Sequence, residues 1–596
     1  MFIKATRAKG HDYLKIVESY YKDGKSKHRT IVNLGRADIL ANSGLENIIR
    51  GLRKYVKENK DQNDNIKDIS TMKEENRVNY GYVAFQTIWN KYSLSELLNN
   101  LIREGKIEFN FVQTVFLMVI NQLLHPSSSR MLSGLQRNQD DYLSNEQNIP
   151  LHHFYRSLDL LAENKPAIEN ALFSKNRDLF NMQVYIVFYD VTTFHFESQL
   201  QDGFRDFGFS KSHKFNEVSR CIGILGILID CDGRPIGYEL YPGNTFDSPK
   251  DPPLEGKTLL KILKKLQDQF NLNKVIIVAD KGINSKLNLK HIKDNGFDYI
   301  VSARIKNMKR SIQKEILSDR DYRRISNNDL FYWRDDFDKE DNILKYKVLD
   351  YTNVIKYEDE NPSSNVKKHK WIKEELEEKL ICTFSSKRAR KDALDRQRAI
   401  EKAMKVISEN NKSAIFTKRG YKRFVADDRG ELEKECYHLK LDEERILEES
   451  KFDGFYAIQC SDLSLEPLKV IDNYHYLFKI EESFRILKST METRPIFLWT
   501  SKHIEGHFVS CFIAFLLERE LELRLRRRKI DFSTEKIKEA LNTVGFSEIE
   551  IEGQKYFMKG KHNSLASKIF AVLKIKQPLN LLSEEQTIEY MEGLKK

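Results

Sequence analysis

None of the six cysteines (Cys221, Cys231, Cys382, Cys436, Cys460 and Cys511) falls in a Cys-x-x-Cys pair, and they lie far apart along the 596 residues. That spacing argues against a disulfide framework and against a zinc ribbon, and predicts reduced, structural thiols. A membrane-spanning run is missing too. The nearest candidate, residues 111–124, is interrupted by Gln113, Asn121 and Gln122 and falls short of the roughly 18 apolar residues a span requires. The opening Met1-Phe2-Ile3-Lys4 lacks a basic region followed by an apolar signal core, so the expected location is the cytoplasm, in association with the nucleoid. No internal repeat is present.

What the chain does have is length, apolar material and positive charge. At 596 residues it exceeds one ordinary hydrophobic core, and about three to five structural units are expected. Hydrophobic residues at 40% suffice for packed cores despite 31% charged residues, which excludes a disordered chain. A net charge of +11 and a pI near 8.9 favour a polyanionic partner, because Lys and Arg that neutralise phosphates release condensed counterions. A merely soluble basic protein is the competing reading of charge alone.

Changes of texture suggest an order of parts. Tyr13 to Val17 and Thr30 to Leu34 read as strands flanking a Lys22-Asp23-Gly24-Lys25 turn, giving a small basic β-rich unit over 1–56. Residues 57–77 are nearly all polar and read as a linker. Helical periodicity, with Phe111, Val115, Met118 and Leu123, marks a helical domain over 78–180, a possible DNA-binding part. Short apolar runs follow over 181–305: Val184 to Tyr189, Cys221 to Ile229, Ile236 to Tyr241, Val275 to Ala279 and Tyr299 to Val301, with a helix from Thr258 to Phe270 before the fourth. Three strands, a helix and further strands predict a mixed α/β sheet. Residues 306–455, with Phe331-Tyr332-Trp333 and a basic helix from Lys387 to Ile407, read as an inserted domain. The α/β texture resumes over 456–530, and 531–596 reads as a C-terminal helical region.

Asp190 closes the first apolar run of the α/β part and Asp280 closes the fourth, so each carboxylate stands where a buried strand emerges. Acids on neighbouring strand ends converge on the crevice that α/β sheets use for ligands, and hard oxygen donors suit Mg²⁺. Taken singly, an Asp after a strand is more often a helix cap or turn former. The third element is a helix-like run from Tyr474 to Lys488. Leu477, Ile480, Phe484, Leu487 and Met491 form its apolar stripe, and Tyr474, Glu481, Arg485 and Lys488 cluster to one side. Glu481 there can complete a metal site or simply pair with neighbouring cations on a solvated face.

These residues resemble the DDE transposases of bacterial and archaeal insertion sequences, and specifically the insertion sequence four superfamily with its Tyr, Arg, Glu, Lys signature. That signature spaces its residues at 0, 3, 7 and 14, where Tyr474, Glu481 and Lys488 match; Leu477 stands at the Arg position, with Lys479 and Arg485 the nearest alternative cations. The first acid matches in Tyr189-Asp190-Val191-Thr192-Thr193 and the second in Ala279-Asp280-Lys281-Gly282. Between them, Phe207-Gly208-Phe209-Ser210-Lys211, Gly233-Arg234-Pro235-Ile236-Gly237 and Pro242-Gly243-Asn244-Thr245 look like the family's intervening segments. Arg494-Pro495-Ile496 and His503-Ile504-Glu505-Gly506-His507 continue the likeness, which spans most of 181–520.

The resemblance implies a multidomain α/β fold whose ribonuclease H-like catalytic core is interrupted by an insertion domain, with an N-terminal β hairpin unit and a helical domain. It implies catalysis by Asp190, Asp280 and Glu481 holding two divalent metal ions, Mg²⁺ or Mn²⁺, with DNA contacts from Tyr474, Arg485 and Lys488. The expected partner is double-stranded DNA, as element terminal repeats and target, bound by a homodimer on paired ends. A nuclease of the same fold and a catalytically inactive DNA-binding descendant are the alternatives.

Weaker signals remain. His503 and His507 lack the His-Glu-x-x-His order of zinc peptidases and are expected in a core or DNA-facing helix. The runs 387–391 and 524–529 read as DNA-following or solvated basic helices, and Trp333 and Trp499 as packing residues rather than base-stacking ones.

Overall fold

The run from Phe2 to Arg36 folds as a three-stranded antiparallel meander, β1 (Phe2–Ala8), β2 (His11–Lys22) and β3 (Lys25–Arg36), so the expected basic β unit is present with one strand more than the sequence suggested. It appears in a computed structural model that describes residues 2–8, 10–22, 25–39, 74–103, 107–126, 149–180, 185–196, 205, 222–242, 254–326, 329–330, 342–358, 371–409, 420–427, 439–491, 496, 498–551 and 554–595. The Asp23-Gly24 turn, most of the 57–77 linker, Phe207 to Lys211, Gly243 to Thr245, Phe331 to Trp333 and Arg494-Pro495 lie outside the described residues.

The chain divides into two units. One comprises Met1–Lys175, His195–Gln199 and Arg485–Lys596; the other comprises Asn176–Phe194 and Leu200–Phe484.

In the first unit, β4 (Glu74–Asn79) leads into α1 (Val83–Lys91), α2 (Leu94–Leu101), α3 (Phe111–Leu124), α4 (Leu151–Glu163) and α5 (Lys165–Phe180). Almost every residue of α3 is buried, which explains an apolar run too short and too interrupted for a membrane. No described helix is long and apolar enough to cross one.

The second unit is built on a nine-stranded sheet. Its strands are β5 (Ile186–His195), β6 (Ile222–Ile229), β7 (Pro235–Pro242), β8 (Ile276–Ala279), β9 (Asp298–Ser302), β10 (Arg323–Arg324), β11 (Leu344–Glu358), β12 (Trp371–Ser385) and, beyond the short pair β13 (Val425–Asp427) and β14 (Leu439–Leu441), β15 (Phe455–Cys460). The order is β10-β11-β12-β15-β9-β8-β5-β6-β7. β5, β8 and β9 run parallel, and β15 returns antiparallel beside β9. The five expected strands are therefore all present. Their residues read as continuous apolar runs because strands buried on both faces need no polar alternation.

Helices of this unit are α6 (Leu254–Lys264), which continues as a π-turn over Lys265–Gln269, α7 (Lys286–Asp294), α8 (Arg310–Leu317), α9 (Ser386–Ser408), α10 (Glu443–Ser450), α11 (Pro467–His475) and α12 (Phe478–Arg485). The 306–455 segment expected as an insertion contributes β11 and β12, paired along all fifteen residues of each. Through the β12–β15 pairing this hairpin extends the main sheet.

The remainder of the first unit follows: α13 (Ser501–Arg527), α14 (Thr534–Asn542), β16 (Gly545–Ile551), β17 (Gln554–Lys559), α15 (Ser564–Leu573), β18 (Leu581–Ser583) and α16 (Glu584–Lys595). α13 is the core of this unit, buried on nearly all sides and packed against α4, α3 and α1. A Cβ on Gly506 would stand 2.0 Å from the Leu158 carbonyl oxygen, so glycine there lets the α13 and α4 backbones touch.

Two expectations need correction. The C-terminal stretch 531–596 is not wholly helical: β16, β17 and β18 form a four-stranded sheet with β4, whose residues the sequence assigned partly to the linker. A bulge between Ser547 and Ile549 breaks the alternation that would have revealed β16. β4 carries one apolar residue, Val78, and is a strand through its pairing with β16.

Candidate active site and basic cleft

β5 and β8 pair in register, Ile186 with Ile276, Val187 with Ile277, Phe188 with Val278 and Tyr189 with Ala279. The next residue on each strand is an aspartate. Neighbouring strands lie about 4.8 Å apart, and in-register residues of a parallel pair point to one face, so Asp190 and Asp280 stand side by side. Asp190 does not end its strand as the sequence suggested, because β5 runs on through buried Val191 to Phe194. β8, by contrast, stops at Ala279, one residue before Asp280. Asp190 is half-buried, and its Oδ1 accepts from the Val191 amide at 2.7 Å; Asp280 is exposed.

After Asp280 the chain turns tightly. The Ile283 amide donates to the Asp280 carbonyl and the Asn284 amide to that of Lys281. Ser285 then caps α7 by accepting from the Asn288 amide. From the other side α11 packs against β8 and β9 and carries half-buried Tyr474, whose hydroxyl donates to Asp280 Oδ1 over 3.5 Å. Burial foremost, then the Asp280 charge, pushes the Tyr474 phenol up to about 12, against the opposing hydrogen bond to Ser302. Tyr476, two residues further and just past the helix end, packs its ring on Phe188 with centroids 5.2 Å apart, seating this helix over the strand that bears Asp190.

The run from Tyr474 to Lys488 is not one helix. α11 ends at His475, α12 begins at Phe478, and Ile486–Thr490 winds as a π-turn. At the break, amides of Leu477, Lys479 and Ile480 bond three residues back, tightening the turn. The apolar stripe survives, with Ile480, Phe484, Leu487 and Met491 buried, but the regular spacing of the polar residues does not. Glu481 is exposed and makes no hydrogen bond or ion pair among the described residues. Lys479, one alternative for the missing signature arginine, is buried and tied to Glu482 at 2.6 Å. Arg485 is exposed, and with Lys488 it falls in the other unit. Asp190 and Asp280 are thus brought together. Glu481 is not shown joining them, since no group of three or more His, Cys, Asp or Glu among the described residues is arranged to hold a metal ion.

Asp280 and Tyr474 line a cleft of about 800 Å³ whose opposite wall is α9. Six of its cations are Lys281, Arg304, Arg388, Arg396, Arg398 and Lys402. Arg396 is committed to Asp453, and Arg388 reaches Asp392 at 3.7 Å while lying over the Tyr456 ring. Lys281 and Lys402 are exposed with no acidic partner among the described residues, and Arg304 donates only to the Lys281 carbonyl. The basic helix expected over 387–407 is therefore a cleft wall. Arg304 carried no sequence signal; Lys281 stood in plain view as the neighbour of Asp280.

The weaker signals resolve conservatively. His507 is buried in α13 with its ring nitrogens 3.6 and 3.7 Å from Cys511 Sγ, while His503 faces Asp159 and Tyr155. Arg524 pairs with Glu520; Trp499, read as a packing residue, is instead exposed.

Residues 3–64 match the IS1634 family transposase N-terminal domain. No curated protein matches the chain. Among solved structures, the chain is similar to a piggyBac transposase in a synaptic complex with hairpin DNA, at 10% identity and a TM-score of 0.32, with 87% of this chain and 88% of that one covered. A Mos1 transposase in a paired-end complex with the left transposon end aligns at 14% identity and a TM-score of 0.13, over 44% of this chain and 70% of that one.

Proposed function

We propose that this chain is an insertion-sequence transposase of the DDE type, which cleaves DNA strands at element ends and joins them to target DNA. The observation that carries the reading is the in-register pairing of β5 and β8, which sets Asp190 beside Asp280, with Asp280 lining a cleft walled by cations. The N-terminal match supports an insertion-sequence origin. The order β9-β8-β5-β6-β7, with β5, β8 and β9 parallel and β6 and β7 an antiparallel hairpin, supports a ribonuclease H-like core.

The two aspartates fit a divalent cation. They are hard oxygen donors at one level, and Asp280 makes no ion pair among the described residues. Mg²⁺ suits a site with few protein carboxylates because it keeps waters and substrate phosphates in its shell. Asp190 and Asp280 would hold the ions, with Glu481 as the third carboxylate. When bound, two such ions supply Lewis-acid stabilisation of the attacking and leaving oxygens of an in-line displacement. The protein's own groups do the rest. Tyr474 keeps its proton and holds Asp280 from one side; Lys281, Arg304 and Lys402 neutralise backbone phosphates and fix the strand without reading its sequence. Double-stranded DNA is the substrate on this reading, and a homodimer on paired ends the working assembly.

The test is cleavage of labelled DNA bearing the element's own ends in Mg²⁺ or Mn²⁺, comparing wild type with Asp190→Ala, Asp280→Ala and Glu481→Ala. Metal-dependent 3′ hydroxyl ends, lost by about a thousandfold or more in each variant as expected when charge stabilisation at the reacting centre goes, support the assignment. Cleavage without strand transfer makes the protein a nuclease. Binding without cleavage makes it a DNA-binding relative, and cleavage that survives the substitutions places the active site elsewhere.

A further inference from the structure

Glu378 sits mid-strand in β12, 2% exposed, and no cation faces it among the described residues. Its partners are three neutral donors. The Tyr299 hydroxyl donates to Oε1 at 2.5 Å, Asn353 Nδ2 donates to the same oxygen at 3.0 Å, and Gln459 Nε2 donates to Oε2 at 2.6 Å. A buried carboxylate without a counter-charge is costly, and burial pushes its pKa up against the pull of those three bonds. An apolar side chain in a strand interior would be cheaper, so the acid calls for an explanation.

The explanation lies in what the carboxylate does to Gln459. A carboxylate only accepts, so the amide of Gln459 must turn its NH₂ towards Glu378 and its oxygen away. That oxygen accepts from Asn284 Nδ2 at 2.6 Å, and Asn284 Nδ2 also donates to the Ser302 carbonyl, again at 2.6 Å. Asn284 in turn closes the turn that begins at Asp280, through its amide to the Lys281 carbonyl. Ser302 ends β9 and also bonds Tyr474, the hydroxyl that reaches Asp280. One negative charge on the inserted hairpin therefore sets the direction of a hydrogen-bond chain ending at the turn that carries Asp280.

We propose that Glu378, acting through Gln459 and Asn284, is a positioning residue that fixes the Asp280 turn and so aims the Asp280 carboxylate. This rests on the proposed role of Asp280. It also gives the inserted hairpin, which does not itself line the cleft, a part in the site: β12 carries the anchor, and β15, between β12 and β9, carries the relay.

The experiment uses the full chain with Glu378→Gln, Asn284→Ala and, as control, Glu377→Gln, an exposed neighbour on the same strand bonded only to Thr352. Three quantities are read: single-turnover cleavage as a function of Mn²⁺, Mn²⁺ affinity without DNA by electron paramagnetic resonance, and affinity for the DNA ends. Removing the partner that orients a metal ligand lowers affinity or activity about 10- to 100-fold, and that loss is expected for Glu378→Gln and Asn284→Ala. Affinity for the DNA ends should stay within about twofold, and Glu377→Gln should match wild type on every readout. Wild-type Mn²⁺ affinity and rate in a folded Asn284→Ala protein overturn the proposal; this variant decides alone if Glu378→Gln does not fold, because it leaves β12 intact. Wild type that binds Mn²⁺ through Asp280 without cutting DNA defeats the functional reading, and the affinity series still judges the positioning role.

Discussion

Asp280 stands exposed past the end of its strand, its carboxylate bonded among the described residues only by a long hydrogen bond from Tyr474, whereas Glu518, Glu520 and Glu522 of α13 are shut inside the other unit at no more than 3% exposure. Their surroundings are opposite. On α13, Arg519 holds Glu522 at 2.6 Å and Arg524 holds Glu520 at 2.8 Å, while Thr534 donates to Glu522. Glu518 has an oxygen without a hydrogen-bond partner among the described residues, and burial followed by the Glu522 charge raises its pKa well above the usual carboxylate range. The difference teaches that availability, rather than residue type, separates an acid fit to hold a metal ion from one that serves packing. Glu520 and Glu522 are spent on arginines of their own helix and Glu518 is buried, whereas Asp280 lines a cleft.

The comparison breaks most sharply at Arg519. Removing one partner of a buried pair strands the other charge, so Arg519→Ala should cost about 3–5 kcal/mol in urea unfolding. Asp280→Asn, at an exposed strand end, should leave the midpoint where it is while abolishing cleavage. Comparable losses in both would mean that the aspartate is structural. Gly506→Ala comes next. Its Cβ would meet the Leu158 carbonyl oxygen at 2.0 Å, so α13 must move off α4, for a destabilisation of about 1–3 kcal/mol. A variant as stable as wild type would show that these helices do not pack at backbone contact.

Glu518 sharpens the contrast through pH. Its folded pKa is raised, so as pH climbs past the ordinary glutamate value the unfolded chain releases a proton that the folded chain keeps. Stability then falls with pH, by at most about 1.4 kcal/mol per unit, until the folded group itself ionises. Glu518→Gln removes that loss. The variant should gain thermal stability over wild type as pH rises from 5 to 8, and should gain nothing near pH 4. A gap independent of pH would show that Glu518 is ionised in the fold.

Much of the sheet was legible because strands buried on both faces leave uninterrupted apolar runs, and Asp190 and Asp280 could be placed at the limit of two of them. The sequence did not reveal that β5 continues past Asp190, since the strand's reach depends on what it pairs with. It also suggested one helix through Tyr474, Glu481 and Lys488, where packing of Tyr476 on Phe188 accompanies a break. The Glu378 network was invisible for a related reason. In a strand reading Lys373-Glu374-Glu375-Leu376-Glu377-Glu378, nothing marks one glutamate as buried until β11 and β15 close on either side. The cleft cations come from segments more than eighty residues apart, and only folding assembles them.

Tyr474 offers the smallest and most discriminating change. Its bond to Asp280 is at the outer limit of hydrogen-bond length, so Tyr474→Phe should slow single-turnover cleavage by only about three- to tenfold, or roughly 0.7–1.4 kcal/mol of barrier. Because burial pushes the phenol up to about 12, it remains a protonated donor throughout the working range, and raising the pH from 6 to 9.5 should not weaken the bond. The rate profiles of wild type and variant should therefore run parallel over that interval. If they converge as pH rises, the hydroxyl is losing its proton in that range and takes part in the chemistry as a titrating group; if the variant falls by a thousandfold, Tyr474 belongs with the carboxylates rather than beside them.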